Sequence, residues 1–270
     1  MVQANNYTIE SFDPEVLREY DIRGVVGENI NENTAYTIGR TFGYTVKSKL
    51  TSHTIVTGYD GRLTSPSLHK ALCEGLKDSG VKVINIGMGP TPMTYFAHYH
   101  FEADAAVMLT GSHNPSEYNG FKMVFNKHSF FAEDIQSLQK LLDNNALELA
   151  NGQIIEQDIT KEYIERDLLN ISLNRKLKVA WDPGNGAMGK VTRKITEKLF
   201  NSENIIINEE VDGNFPNHHP DPTVPKNMIQ LIETVNKNNC DIGLAFDGDG
   251  DRLGVIDNLG NIVWADQYML

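Results

Sequence analysis

The sequence predicts an α/β protein of two consecutive domains, each a mixed, mostly parallel sheet flanked by helices. Three observations predict it. Apolar runs of strand length alternate with segments whose apolar residues recur at helical spacing, the alternation begins afresh after the turn signal Asn151-Gly152, and 270 residues suffice for about two domains. The expected first boundary is therefore after residue 151, with a second domain from 152.

The first series opens with Leu17-Arg18-Glu19-Tyr20-Asp21-Ile22-Arg23-Gly24, a short strand or turn that presents side chains before the apolar pair Val25-Val26. The planar fork of Arg23 suits phosphate, although an exposed surface arginine is the default for such a position taken alone. Ala35, Ile38, Phe42 and Val46 place a helix over 33–50. A strand over 54–59 runs into Asp60-Gly61-Arg62, and Ser65-Pro66 then reads as a serine N-cap with proline in the first turn. Leu68, Ala71, Leu72, Gly75 and Leu76 give that helix one buried face, and Gly80 ends it. A strand over 81–87, a short helix over 93–100 and the apolar run Ala105-Ala106-Val107-Met108-Leu109 follow. That run enters the polar stretch Thr110-Gly111-Ser112-His113-Asn114-Pro115, continuing to Asn119-Gly120-Phe121-Lys122. After the apolar piece Met123-Val124-Phe125, residues Ile135, Leu138, Leu141 and Leu142 mark a helix over 134–149.

The second series repeats the order. A connecting helix carries Tyr163, Ile164 and Leu168; then come a strand over 177–182, the tight loop Pro183-Gly184-Asn185-Gly186 and a helix over 188–200. Ile205-Ile206-Ile207 is the next strand. The proline-rich segment 212–222 must be irregular, and a helix over 224–238 precedes a strand over 240–246. The adjacent pair His218-His219 is a poor metal site, since neighbours on an extended chain point apart.

Composition removes several function classes. The formal net charge is −12, from 36 acidic and 24 basic residues, and no basic run offers a nucleic-acid surface. No stretch has the ~18 uninterrupted apolar residues of a membrane span, and residues 1–12 lack a secretory signal pattern, so the expected compartment is the cytoplasm. Cys73 and Cys240 lack metal-ligand spacing and read as packed thiols.

Two loops carry chemistry. Ser112 follows a buried strand, at the end where open α/β sheets hold ligands, although Gly, Ser, Asn and Pro are also what ordinary turns are made of. Asp247-Gly248-Asp249-Gly250-Asp251-Arg252 sets three carboxylates at alternate positions, an oxygen-rich cage for a hard cation such as Mg²⁺ or Ca²⁺. An EF-hand needs glycine and glutamate where Arg252 and Asn258 stand, and a preceding helix instead of a strand. A solvated acidic turn is disfavoured by the repulsion of three like charges beside an apolar strand. A loop serine, basic companions and a metal cage together fit phosphoryl transfer, whereas a serine hydrolase would need a base, an orienting acid and usually Gly-x-Ser-x-Gly.

Tyr20-Asp21-Ile22-Arg23-Gly24, Thr110-Gly111-Ser112-His113-Asn114-Pro115, Asn119-Gly120-Phe121-Lys122 and Asp247-Gly248-Asp249-Gly250-Asp251-Arg252, in this order, resemble the signature of the α-D-phosphohexomutases, in the phosphomannomutase/phosphoglucomutase branch. The resemblance implies that Ser112 carries the phosphoryl group and that Asp247, Asp249 and Asp251 bind Mg²⁺, with a phosphoserine oxygen of Ser112 completing the protein's ligands. It implies that Arg23, His113, Lys122 and Arg252 stabilise charge and handle protons, and that Tyr20, Arg23, Lys122 and Arg252 meet a phosphorylated hexose. The implied reaction interconverts hexose 6-phosphate and 1-phosphate through a bisphosphorylated sugar. Family members have four domains, so the resemblance implies the division 1–151, 152–259 and, as the start of a truncated third domain, 260–270. The expectation is that this chain holds the phosphoserine and metal halves and has little turnover alone. The alternative is a non-catalytic phosphate- or metal-binding remnant that works with a partner chain supplying the missing domains.

Overall fold

The computed structural model describes residues 6–144 and 147–268, and the chain divides into two compact units between Ile159 and Thr160. The first contains β1 (Ile22–Val25), α1 (Glu32–Lys49), β2 (Thr54–Tyr59), α2 (Ser65–Asp78), β3 (Lys82–Met88), α3 (Thr91–His100), β4 (Ala105–Leu109), β5 (Tyr118–Phe125), β6 (His128–Ser129), α4 (Glu133–Asp143) and β7 (Gln153–Glu156). Its sheet runs β1-β5-β4-β2-β3-β7, with β6 on β5. Strands β4, β2, β3 and the edge strand β7 are parallel, and β5 runs antiparallel to both β4 and β1. All five residues of β4 are buried, as a strand covered on both faces requires, which explains an apolar run without alternation.

Local sequence accounts for the helices. Asn31 accepts from the backbone N–H groups of Asn33 and Thr34, while the Thr34 hydroxyl accepts from the Asn31 N–H, a capping box that starts α1. Ala35, Ile38, Phe42 and Val46 are all buried in the core with Leu68, Leu72 and Leu76 of α2. The start of α2 departs from expectation. Thr64 holds the cap position without a side-chain cap bond and Ser65 is already helical, its hydroxyl donating to Asp60 Oδ1 (2.6 Å) and accepting from Asn119 Nδ2 (3.0 Å).

Three further expectations are corrected. Asn119, Gly120, Phe121 and Lys122 lie within β5, where strand pairing on both sides draws them out of the loop. The first unit runs past residue 151, since β7 pairs parallel with β3 (Val83↔Ile154, Ile84↔Ile155) and completes the sheet. The last helix of this unit stops at Asp143, short of the expected 149; positions 145–146 of the expected span lie outside the described residues.

The second unit contains α5 (Thr160–Leu168), β8 (Leu177–Asp182), α6 (Gly189–Lys198), β9 (Ser202–Ile206), a 3₁₀ turn (Pro225–Met228), α7 (Ile229–Asn238), β10 (Ile242–Phe246), β11 (Leu253–Asp257), β12 (Ile262–Val263) and α8 (Ala265–Tyr268). Its sheet runs β12-β11-β10-β8-β9, with β10, β8 and β9 parallel and β11 and β12 antiparallel. Ala180, Met228, Leu231, Val235, Cys240, Ala245 and Ile256 form its core. Residues 262–263, read from the sequence as the start of a third domain, pair with β11 as an edge strand. Met269 and Leu270 lie outside the described residues. Both cysteines are free and buried, as their patterns suggest.

Candidate functional site

In the first unit β2 and β4 are parallel neighbours whose last residues, Tyr59 and Leu109, pair. The loops that follow them, 60–62 and 110–112, therefore leave the same edge side by side, at the carboxyl end where α/β sheets place their sites. The Asp60 carboxylate, 1% exposed, ties them together. Its Oδ2 accepts from Thr110 Oγ1 (2.8 Å), the Gly111 N–H (3.1 Å) and Arg62 Nε (3.1 Å). Ser112 stands on this support with its N–H donating to Thr110 Oγ1 (2.7 Å) and its carbonyl accepting from Arg62 Nη2 (2.8 Å). Ser112 is 3% exposed and has φ of 49°, a left-handed conformation that costs a residue with a Cβ about 1–2 kcal/mol. Ser112 Oγ lies 3.3 Å from His113 Nδ1, so the two are within proton-transfer reach.

The basic residues of this unit are ordered by register. Arg23 pairs with Gly120, and Lys122 is two residues further along the same strand, so both cations lie on one face with no side chain at Gly120 between them. Arg23 is not a bare fork: Nε donates to Asp21 Oδ2 (3.1 Å) and Nη2 bonds the same oxygen, leaving part of the guanidinium for a ligand. Tyr20 is 80% exposed.

In the second unit Asp247, Asp249 and Asp251 occupy the connection between β10 and β11, and one oxygen from each lies within 4.8 Å of the others. Strands flank this loop on both sides, which removes the EF-hand reading. Asp247 and Asp249 are fully buried and Asp251 is exposed. Burial, then the neighbouring Asp249 and Asp251 charges, push the Asp247 carboxyl up to about 8. Its Oδ1 accepts the Arg252 N–H (3.0 Å), while Arg252 Nε is 4.0 Å from Oδ2. A set of three hard oxygen donors, two of them buried against mutual repulsion, fits a divalent cation, which would offset the charge that the fold concentrates there.

The glycine loop after β8 supports this cage. Ala187 N–H donates to the Gly248 carbonyl (2.9 Å), and a Cβ on Gly186 would lie 2.7 Å from that same oxygen, so only glycine permits the approach. The loop is itself pinned by Asp182, whose Oδ1 accepts the Gly184 N–H (2.9 Å) and whose Oδ2 faces His218 Nε2 (2.9 Å). Burial opposes a charged His218, but Asp182 outweighs it and holds the imidazole above its ordinary pKa. His218 is thus committed to a carboxylate.

Within the first unit the structure brings together Ser112 with His113, and Arg23 with Lys122; within the second it brings together the three aspartates with Arg252. Sequence reasoning missed Asp60 and Arg62. Their only local signal was a charged pair directly after a buried strand, where a carboxylate and a guanidinium need each other.

The phosphoglucomutase/phosphomannomutase family models for alpha/beta/alpha domain I and domain II match residues 14–148 and 161–260. A phosphomannomutase/phosphoglucomutase of Pseudomonas putida is 46% identical over 255 residues, 94% of this chain and 55% of the relative. A phosphoglucomutase of Neisseria gonorrhoeae is 40% identical over 96% of this chain and 56% of its own length. The crystal structure of a phosphoglucomutase/phosphomannomutase family protein of Burkholderia thailandensis superimposes with a TM-score of 0.89 at 39% identity, covering 94% of this chain and 57% of that one. The chain thus spans about half the length of the curated relatives it matches. Among the described residues no helix is long and apolar enough to cross a membrane.

Proposed function

Because the chain belongs to the phosphoglucomutase/phosphomannomutase family, matching its domains I and II, we propose that it carries the phosphoserine and cation-binding parts of a phosphohexomutase. The observation behind this is the presence in one chain of a serine built into a rigid strand-end loop and a buried carboxylate triad. The reaction interconverts a hexose 6-phosphate and a hexose 1-phosphate. A sugar hydroxyl oxygen bonds to the phosphorus on Ser112 as the Oγ–P bond breaks, giving a bisphosphorylated sugar. The other phosphate then returns to Ser112 Oγ, so the enzyme ends as it began.

Each residue has a role in this reading. Ser112 carries the phosphoryl group, and His113, whose Nδ1 lies 3.3 Å from Oγ, takes part in moving the hydroxyl proton. Arg23, Lys122 and Arg252 offset phosphate charge, and exposed Tyr20 meets the sugar phosphate. Asp247, Asp249 and Asp251 hold the cation, for which Mg²⁺ is proposed on the strength of an all-oxygen donor set. When bound, such a cation would supply positive charge to offset that of a phosphoryl group. No observation favours the alternative of a partner-dependent remnant.

The test is intact-mass spectrometry of the 270-residue chain after treatment with glucose 1,6-bisphosphate and Mg²⁺. One phosphate is gained by the wild-type chain and none by Ser112→Ala. A wild-type chain that gains no phosphate with any divalent cation refutes the reading.

A further inference from the structure

An arginine beside a serine that carries phosphate is ordinarily a phosphate clamp, but the surroundings of Arg62 contradict that use. We propose that Arg62, held by Asp60 and joined through Thr110, is a positioning residue that fixes Ser112 for phosphoryl transfer and does not bind the phosphate itself. The proposal rests on the reading of Ser112 as the phosphoryl carrier.

A guanidinium has five N–H groups. In Arg62 each has a protein acceptor: Nε donates to Asp60, Nη1 to the carbonyls of Pro115 and Tyr118, and Nη2 to those of Ser112 and Asn114, with the carbonyl contacts at 2.5 to 3.1 Å. The side chain is fully buried, so turning a donor toward an anion would strip a carbonyl of its partner in a dry site. Four carbonyls converging on one cation define the path of the loop from Ser112 to Tyr118.

Gly111 closes the frame. A Cβ there would lie 2.4 Å from both Arg62 Cζ and Nε and 2.8 Å from the Tyr118 carbonyl oxygen, so the backbone rides directly on the guanidinium. Thr110 links the two charged groups to the serine, since its hydroxyl donates to Asp60 and accepts the Ser112 N–H. The left-handed backbone of Ser112 is unfavourable by itself and is selected by these bonds. Lysine in place of Arg62 would keep the charge opposite Asp60 but has three donors on one atom and cannot span four carbonyls.

The experiment compares wild type, Arg62→Lys and Thr110→Val. It measures phosphate uptake on Ser112 against glucose 1,6-bisphosphate concentration, and amide hydrogen exchange across 109–118. A displaced nucleophile lowers the rate constant about 10- to 100-fold in both variants. The half-saturating bisphosphate concentration stays within about twofold, because no Arg62 donor meets substrate, and exchange across 109–118 speeds up while the second unit is unchanged. A raised half-saturating concentration with an unchanged rate constant overturns the proposal and makes Arg62 a phosphate ligand. Wild-type rates in the variants overturn it as well. Should Arg62→Lys lose exchange protection throughout the first unit, Thr110→Val decides by the same two measurements. A wild-type chain that takes up no phosphate overturns the reading of Ser112, and the frame is then upheld by faster exchange across 109–118 in Thr110→Val or overturned by unchanged exchange.

Discussion

Raising the pH from 6 to 8 tightens divalent-cation binding at the Asp247, Asp249 and Asp251 cage, by an amount that follows from one proton. Two of these carboxylates are fully buried, and Asp247 is pushed up to about 8 by that burial and by its two acidic neighbours. A cation must displace the proton. With an apo value of about 8 the apparent dissociation constant is raised roughly 100-fold at pH 6, roughly 10-fold at pH 7 and about 2-fold at pH 8. The sign for stability follows from the same shift. The folded pKa lies above that of the unfolded chain, so the cation-free unit loses stability as the pH rises from about 4 to about 8. A cation at about 100 times its dissociation constant returns about 2.7 kcal/mol. The assay is calorimetric titration with Mg²⁺ or Mn²⁺ at pH 6, 7 and 8, with proton release measured in buffers of different ionisation enthalpy. Asp249→Asn is expected to abolish tight binding while raising the cation-free stability at pH 8, because it removes one of the repelling charges. Equal affinity at pH 6 and pH 8, with no proton released, would refute the reasoning.

Other consequences can be measured on the same chain. Ser112→Gly should be about 1 kcal/mol more stable to urea than Ser112→Ala, because both lack the hydroxyl but only alanine keeps a Cβ at φ of 49°; equal midpoints would show that the conformation is not strained. His69 is buried beside Tyr59 and Cys73 and its pKa is pulled down to about 3 by burial, so the chain should lose stability as pH falls from about 6.5 toward 3, where only the unfolded state gains the proton. His69→Gln should flatten that acid limb, and an unchanged pH slope would count against it. Gly186→Ala, which sets a Cβ against the Gly248 carbonyl, should weaken cation binding at the aspartate cage by tenfold or so without unfolding the first unit, as read by calorimetry; native affinity would show that the glycine loop does not support the cage.

Much of this chain was legible because the deciding information is local. The β2, β4 and β8 runs have the lengths read from their apolar residues, and Ala35, Ile38, Phe42 and Val46 line the buried face of α1 as their spacing requires. The aspartate cage needs three carboxylates in five residues, and their proximity is guaranteed by chain connectivity whatever the fold does around them. Ser112 was visible for a similar reason, as a serine directly after a strand with no alternation.

The corrections arise where distant segments compete for the same backbone groups. Asn119 to Lys122 has the glycine and asparagine of a loop, yet β4 on one side and β1 on the other satisfy its hydrogen bonds and draw it into the sheet. Residues 153–156 belong to the first unit only because β3 presents an unpaired edge to them, and 262–263 joins β11 for the same reason. Ser65, a good cap by type, has its hydroxyl taken up on both sides by distant or buried groups, donating to the Asp60 carboxylate and accepting from Asn119 Nδ2. The sequence by itself determined which residue types stand where chemistry is possible: Ser112, Lys122, Arg23 and the three aspartates. Each of Arg23 and Arg62 has an aspartate two residues before it, but only the tertiary structure decided that Arg62 also gives its remaining four donors to carbonyls of the serine loop, because those carbonyls lie 50 to 56 residues away in sequence and are brought within hydrogen-bond reach by the fold.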